Sequence, residues 1–190
     1  ATKRGIIVVN TPESNIVSAA EMTIALMLSS ARNLVKGHNL MMSGEWGRTG
    51  LRGSEMLNKT LGIIGLGRIG TLVTSRMQAF GMKVIAYARF KKFGVTKCDT
   101  LEELLQQADI ITIHTPKTEE TINIITKKEL ALCKTGVRVI NCARGGLINE
   151  DDLLEAIKEG KVASAGIDVL KDEPNAISPL IQMTQCVVTP

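Results

Sequence analysis

The sequence is short of aromatic side chains, and it has no long apolar run and no strong excess of one charge. Aromatic residues make up 3% of its 190 positions, so the core must consist of aliphatic residues, methionine and alanine, which suits a buried parallel sheet. No apolar run reaches the roughly 18 residues that a membrane span needs, and no signal peptide is recognisable. We therefore expect no membrane association and, because the net charge of +4 is dispersed, no nucleic-acid partner.

Cysteine and histidine are too few and too scattered to indicate a metal site. No two of the four cysteines form a C-x-x-C pair; they are Cys98, Cys133, Cys142 and Cys186. The two histidines, His38 and His114, lie far apart in the sequence. The spacing therefore predicts no metal centre. Scattered single cysteines in an apolar chain are typical of reduced thiols, so we expect a cytoplasmic protein.

A glycine motif carries the first functional information. Gly65, Gly67 and Gly70 form a G-x-G-x-x-G motif inside "TLGIIGLGRIGTLV". The motif alone is weak, since glycines also serve ordinary turns. Here, however, a strand-like run precedes it, a helical run follows, and another strand comes within about thirty residues. Such glycines allow a tight turn, close approach of phosphates and close helix packing, so the motif predicts a dinucleotide site at a helix N-terminus.

From residue 60 onward, the sequence alternates regularly between strand patterns and helix patterns. The predicted strands are residues 60–64, 83–87, 110–115, 137–141, 163–168 and 186–188. The predicted helices are residues 68–79, 100–107, 127–132 and 150–158. This alternation predicts an α/β fold with a doubly wound parallel sheet of the Rossmann type. Before it, residues 5–10 are predicted as a strand and residues 15–44 as one long helix.

The motifs together resemble the D-isomer-specific 2-hydroxyacid dehydrogenases over essentially the whole chain. The resemblance rests on "SAAEMTIALMLSSARN", "GEWGR", "NKTLGIIGLGRIG", "IHTP", "VINCARGGLINEDDLLEAI" and "AGIDVLKDEP". The "SAAE" and "NCARGG" stretches favour the branch of the family that oxidises 3-phosphoglycerate over the lactate, formate and glyoxylate branches. The family uses a nicotinamide cofactor, and its members are built from a nucleotide-binding domain and a split substrate domain.

The resemblance implies which residues contact the cofactor, beyond the three glycines. They are Arg68, Ile69, Thr115, Pro116, Cys142, Ala143, Arg144 and Asp168. The first two would lie on the pyrophosphate, and the next two would line the cofactor cleft. The residues of "CAR" would run under the nicotinamide ribose and ring, and the aspartate would hold the nicotinamide carboxamide.

The residues that follow the predicted strand 83–87 leave the choice between NAD and NADP open. The family's ribose-binding aspartate corresponds to Ala88, which cannot bind ribose hydroxyls. Arg89 follows, with Lys91 and Lys92 close by, and a cation without a carboxylate suits the 2′-phosphate of NADP. The loop after Ala88 is also about five residues shorter than in the family. NAD is expected from the family, and NADP is possible from these residues.

Two residues are candidates for catalysis. Reduction of a 2-keto acid needs a fixed cation for its carboxylate and a positioned acid for its carbonyl oxygen. Arg144 follows a predicted strand, and its planar fork suits a carboxylate. The resemblance implies that Glu173 partners a histidine and so raises the pKa of that imidazole. The family's histidine follows a "TP" pair, and this chain ends with "TP" at Pro190. His114 is expected to be a structural residue or part of the cleft wall, not the acid.

These observations predict a nucleotide-binding domain separated from its substrate domain. Residues 1–10 would be the end of a linker strand, residues 11–190 would bind the dinucleotide, and the chain alone would not turn over substrate. In the family, the helix around Glu21 and the loop at Trp46 form a dimer interface, so a homodimer or homotetramer is expected. The alternatives are a glyoxylate or hydroxypyruvate reductase, a D-lactate dehydrogenase, or an NAD-sensing transcriptional partner.

Overall fold

The computed structural model describes residues 2–9, 11, 14–90, 94–174 and 177–190, which contain one seven-stranded sheet. The strands are β1 (Thr60–Ile64), β2 (Lys83–Tyr87), β3 (Thr96–Cys98), β4 (Ile110–Ile113), β5 (Val137–Asn141), β6 (Val162–Ile167) and β7 (Cys186–Val188). Their order is β3-β2-β1-β4-β5-β6-β7, and every pair is parallel. The strand order reverses between β1 and β4, and ligands bind in the crevice at such a switch point.

Helices cover both faces of the sheet. They are α1 (Ile16–Ala31), α2 (Leu34–Met42), α3 (Arg68–Ala79), α4 (Leu101–Gln107), α5 (Lys127–Leu132) and α6 (Glu150–Lys158). The helices α1 and α3 pack with one hydrophobic cluster, and α4, α5 and α6 pack with the other. Neighbouring strand residues alternate between the clusters, as Ile63 and Ile64 do. This explains why the central strands are apolar at nearly every position rather than at alternate ones.

The starts of three helices are specified by side chains that accept backbone N–H groups. The Thr100 hydroxyl accepts from Glu103 N at the start of α4. Thr126 and Glu129 form a capping box at the start of α5, and Asn149 caps α6. Each cap satisfies a backbone donor that the helix cannot pair, which stabilises a helix by about 1 kcal/mol. These caps direct the chain out of each loop and into a helix.

The predicted single helix over residues 15–44 is wrong, because the structure has two helices there. Asn33 has a left-handed backbone with φ 53°, and its side chain donates to the carbonyl of Arg52. Asparagine tolerates this conformation better than most residues, so the chain turns at Asn33 and starts α2 in a new direction. No residue of α2 is buried. An apolar periodicity does not report φ, and the break was therefore missed.

The predicted strand over residues 5–10 is also not formed in the part of it that the structure describes. Thr2–Arg4 form a short 3-10 helix, and residues 6–9 are exposed and unpaired. A strand needs a partner for its hydrogen bonds, and none of the described strands lies beside this segment. Strand β3 was missed because two of its three residues, Thr96 and Lys97, are exposed polar side chains, so it contains no apolar run. The predicted strands 110–115 and 163–168 are displaced by one or two residues at their ends.

A glycine in β1 tests how tightly the sheet and helix pack. A Cβ at Gly62 would lie 2.7 Å from Leu104 Cδ2 and 2.9 Å from Ala108 Cβ, so Gly62→Ala should destabilise the fold by ~1–3 kcal/mol. The control is Gly37→Ala inside α2, where the nearest atom would be 3.7 Å away. That change should stabilise by ~0.5–1 kcal/mol because alanine favours a helix. Urea unfolding measures both, and a Gly62→Ala chain as stable as the parent would contradict the packing.

Candidate functional site

The switch point is closed by contact between two backbones. The loop after β1 begins with Gly65, whose N–H donates to Tyr87 O at 3.0 Å. The N–H of His114, just after β4, donates to Ile64 O at 2.7 Å. Gly65 has φ +95°, and a Cβ there would lie 2.6 Å from His114 O. Only glycine fits this position, so the loops after β1, β2 and β4 meet without an intervening side chain.

The other two glycines of the motif have different environments. A Cβ at Gly70 would lie 2.4 Å from Gly65 O, so this glycine lets α3 pack against the loop. Gly67 caps the N-terminus of α3, and a Cβ there would meet nothing within 4 Å. Arg68 and Ile69 form the first turn behind it. The N-terminus of α3 therefore faces open space, as a pyrophosphate site requires.

Thr115 lies on the opposite wall of this space. Its Cγ2 lies 2.8 Å from the position of a Gly65 Cβ, and Pro116 follows it in the loop after β4. The Thr115 hydroxyl oxygen is buried and has no hydrogen-bond partner among the described residues. A buried polar atom without a partner costs about 1–3 kcal/mol. The hydroxyl therefore suits a ligand that brings a polar group to the cleft.

The loop after β5 is shaped by Asn141, which the sequence analysis did not single out. Asn141 is 2% exposed; its amide donates to Arg144 O at 3.0 Å and accepts from Ala143 N at 3.1 Å. These bonds fold residues 142–144 into a turn. Asparagine at a strand end often organises such a turn, which is the signal that could have revealed it. Burial raises the pKa of the Cys142 thiol to about 12, so this cysteine is an unreactive wall.

The loops that carry Arg144 and Glu173 are packed against each other. Arg144 is exposed, and its Nη1 donates to Ala143 O at 2.6 Å. A Cβ at Gly145 would lie 1.9 Å from Leu170 O, and Leu170 N donates to Glu173 Oε1 at 2.6 Å. The structure thus brings the two candidate catalytic residues onto touching loops after β5 and β6.

Asp168 lies at the end of β6, between the ends of β5 and β7. Its N–H donates to Asn141 O at 3.0 Å, and its Oδ1 accepts from the Thr189 hydroxyl at 2.6 Å. Thr189 N in turn donates to Ile167 O at 2.9 Å. These bonds fix a half-buried carboxylate at the same edge of the sheet as Arg144. The carboxylate can accept hydrogen bonds from an amide, as the resemblance implies for the carboxamide.

Ala88 and Arg89 follow β2 at the far end of the cleft. Ala88 is half-buried, and Arg89 is exposed. The Arg89 guanidinium lies 3.9 Å from Glu120 in the loop after β4, with both side chains more than 80% exposed. Such a pair is worth little, so it does not commit the arginine to Glu120. Lys91 and Lys92, and the middle of the predicted short loop, lie outside the described residues.

The two histidines occupy unlike places. His114 follows β4, and its Nε2 lies 3.1 Å from the Thr112 hydroxyl. Burial lowers the pKa of His114 to about 4, so the imidazole is neutral near pH 7. His38 is exposed on α2. Within the described residues, no three histidine, cysteine or acidic side chains are placed to hold a metal ion. The helices of the described part of the chain are also too short or too polar to cross a membrane.

The comparisons with known proteins agree with this geometry. Residues 24–190 match the family model described as "D-isomer specific 2-hydroxyacid dehydrogenase, NAD binding domain". The chain therefore belongs to the D-isomer-specific 2-hydroxyacid dehydrogenase family and corresponds to its NAD-binding domain. The predicted family and Rossmann-type fold are confirmed.

Individual relatives within this family are similar to the chain over its whole length or nearly so. D-3-phosphoglycerate dehydrogenases of Bacillus subtilis and Methanocaldococcus jannaschii are 46% and 44% identical to the chain over its whole length. The chain spans 37% of each of those proteins. A solved D-lactate dehydrogenase from Aquifex aeolicus, complexed with NAD and lactic acid, is 31% identical with a TM-score of 0.87. That match covers 99% of this chain and 63% of the solved one.

The two glycines at α3 should separate binding from folding. Gly67→Ala places a methyl group in open space, so stability should fall by no more than about 1 kcal/mol, the cost of alanine at an N-cap. The methyl group would lie where the pyrophosphate approaches, and NAD binding should weaken about tenfold. Gly70→Ala is the matched control, and it should destabilise because its Cβ would overlap Gly65 O. Calorimetric NAD titration and thermal unfolding measure both; unchanged NAD affinity in Gly67→Ala would contradict the site.

The half-buried His114 should make stability depend on pH. Its pKa is about 4 in the folded chain and about 6.5 when unfolded. Between these values only the unfolded state binds the proton, so the free energy of unfolding should fall as the pH decreases from about 6.5 to about 4. The loss could reach ~3 kcal/mol. Above about pH 6.5 His114 is neutral in both states, so this loss in the free energy of unfolding is absent.

Urea unfolding at about pH 7 and about pH 4.5 measures this dependence. His114→Gln should remove the part of the pH dependence that comes from this imidazole. The control is His38→Gln, which removes an exposed imidazole and keeps His114. An unchanged pH dependence in His114→Gln would contradict the assignment.

Proposed function

We propose that the intact protein oxidises 3-phosphoglycerate to 3-phosphohydroxypyruvate, the entry into serine synthesis, and that this chain forms its nucleotide-binding domain. The observation that carries the proposal is the contact of the loops after β5 and β6 at Gly145 and Leu170. It holds Arg144 and Glu173 at the edge where the cofactor cleft opens. The identity of 42–46% to D-3-phosphoglycerate dehydrogenases supports this substrate. Residues 1–10 would link to a substrate domain, and residues 11–190 would bind the dinucleotide.

The residues of the cleft fit a nicotinamide dinucleotide. The open N-terminus of α3 at Gly67 would hold the pyrophosphate, and the Thr115 hydroxyl would gain the partner that it lacks among the described residues. The Asp168 carboxylate would accept a hydrogen bond from the nicotinamide carboxamide. When bound, the nicotinamide supplies the hydride acceptor for the substrate C2 hydrogen.

Arg144 would bind the substrate carboxylate. A guanidinium carries five N–H donors in a planar fork, and in Arg144 the Ala143 carbonyl accepts from one terminal nitrogen. Arg144 can present its other donors to a carboxylate and to the oxygen at C2, which would orient C2 and stabilise negative charge on that oxygen. Asn141 would act as a positioning residue, because it fixes the turn that carries this arginine.

Glu173 would orient the imidazole that takes the C2 hydroxyl proton. The hydrogen bond from Leu170 N fixes its carboxylate at the end of the loop after β6. A carboxylate that accepts from one imidazole nitrogen leaves the other nitrogen as a base. That imidazole would come from outside these 190 residues. His38 is exposed on α2, and His114, whose pKa burial lowers to about 4, would be a weak base.

NAD is the proposed cofactor, with NADP also accepted. A carboxylate at position 88 would repel a 2′-phosphate, and Ala88 removes that repulsion. Arg89 adds a cation beside the same position, and its ion pair with Glu120 is exposed. Discrimination against NADP should therefore be weak.

We also propose that the protein self-associates through α2 and the following loop, in the cytoplasm. Leu34, Met41, Met42 and Trp46 are all more than half exposed there. Exposed apolar side chains grouped in this way are typical of an interface, and a homodimer or homotetramer would cover them. All four cysteines are free thiols in the structure, as in a reducing compartment.

The proposal is tested by assaying the intact protein with 3-phosphoglycerate and with NAD and NADP side by side. We expect turnover that prefers NAD. Arg144→Lys should lower kcat/KM by about 100-fold, because lysine cannot bind the carboxylate through a planar fork. Arg76→Lys on α3 is the matched control and should leave kcat/KM unchanged. No turnover of 3-phosphoglycerate, with turnover of glyoxylate, hydroxypyruvate or pyruvate, would contradict the proposed substrate and leave the site intact.

A further inference from the structure

A cavity of about 220 Å³ opens at the amino-terminal edge of the sheet, opposite the cofactor cleft. Lys59, just before β1, and the first residues of β4 and β5 lie around it, and a segment that follows α2 closes one side. Its lining includes polar and charged side chains, among them those of Ser54, Lys59, Asp109, Lys134 and Arg138. None of them takes part in the proposed reaction.

Arg138, near the start of β5, is the principal group in this cavity. Its Nη2 donates to Ser54 Oγ at 3.0 Å, but its Nε is buried and has no partner among the described residues. No carboxylate oxygen of the described chain lies within 4.0 Å of its guanidinium. Burial also lowers the pKa of Arg138, which reports a cation that has lost water. A charged donor left in this way is costly unless a ligand pairs with it.

The half-buried carboxylate in the lining of this cavity, Asp109, already has hydrogen-bond partners. Asp109 Oδ1 accepts from Lys134 Nζ at 3.0 Å, and its Oδ2 accepts from Thr60 N at 2.8 Å. Burial opposes ionisation of this carboxyl, but these two bonds lower its pKa overall, so Asp109 stays charged and neutralises Lys134. Lys59 adds a further cation to the lining, against the exposed Glu55. The lining thus keeps an excess of positive charge.

We propose that this cavity is a binding site for a phosphate-type oxyanion, with Arg138 as the principal ligand and Lys59 at its rim. An arginine fork pairs with phosphate oxygens through parallel hydrogen bonds. The anion would give Arg138 Nε its partner and would balance the excess positive charge. Free phosphate and the phosphoryl group of a small phosphomonoester share this chemistry.

The inference is tested by a ¹⁵N NMR titration of the chain with inorganic phosphate, and separately with glycerol 3-phosphate. Sodium chloride at matched ionic strength is the reference. Phosphate should shift the Arg138 Nε–H signal and the backbone signals of residues 134–138. A larger shift with one of the two anions identifies the preferred source. Signals of residues 65–70 report binding at the glycine loop separately.

Variants assign the effect to the cavity. Lys59→Met and Arg138→Lys should each weaken phosphate binding about tenfold, and Arg138→Lys keeps a cation in place if a neutral variant does not fold. Lys97→Met on the distant edge strand β3 removes the same charge and should leave binding unchanged. The proposal is overturned if phosphate shifts only residues 65–70, if chloride produces equal shifts, or if Lys97→Met weakens binding as much as Lys59→Met.

Discussion

The carboxyl edge of this sheet depends on one backbone contact, in which Gly65 lies directly against His114. With φ +95° and no room for a Cβ, Gly65 joins the loops after β1 and β4 at the point where the strand order reverses. The contact directs the N-terminus of α3 into the cleft and places Thr115 on its opposite wall. A side chain at position 65 would separate the loops, and the anion site at α3 would lose that wall.

A second backbone contact, between Gly145 and Leu170, supports the two residues proposed for catalysis. Arg144 and Glu173 are exposed side chains on loops, which by themselves hold their positions poorly. Because the loop backbones are in contact and Asn141 ties down the first of them, both side chains stand on rigid supports. Catalytic groups need such support to keep their geometry. The two contacts explain why positions 65 and 145 are glycine.

Most of the architecture could be predicted from the sequence, because apolar runs and turn residues are local signals. The strands at 60–64 and 83–87 and the helix at 68–79 lie where the pattern places them. The break at Asn33 could not be predicted, since it depends on φ and on a hydrogen bond to Arg52. For the candidate site, the sequence indicated which residues could take part but not which contacts hold them in place. Asn141 left a local signal, an asparagine at a strand end, whereas the unpaired Arg138 Nε depends on tertiary contacts that leave no mark in the sequence.

We propose that the glycine loop and the loops after β4, β5 and β6 form one dinucleotide site. The most direct measurement is a crystal structure of the chain with NADH bound. We expect a pyrophosphate within about 3.2 Å of backbone N–H groups at the start of α3, with the nicotinamide carboxamide at Asp168. A dinucleotide bound elsewhere, or a pyrophosphate that does not touch α3, would contradict it.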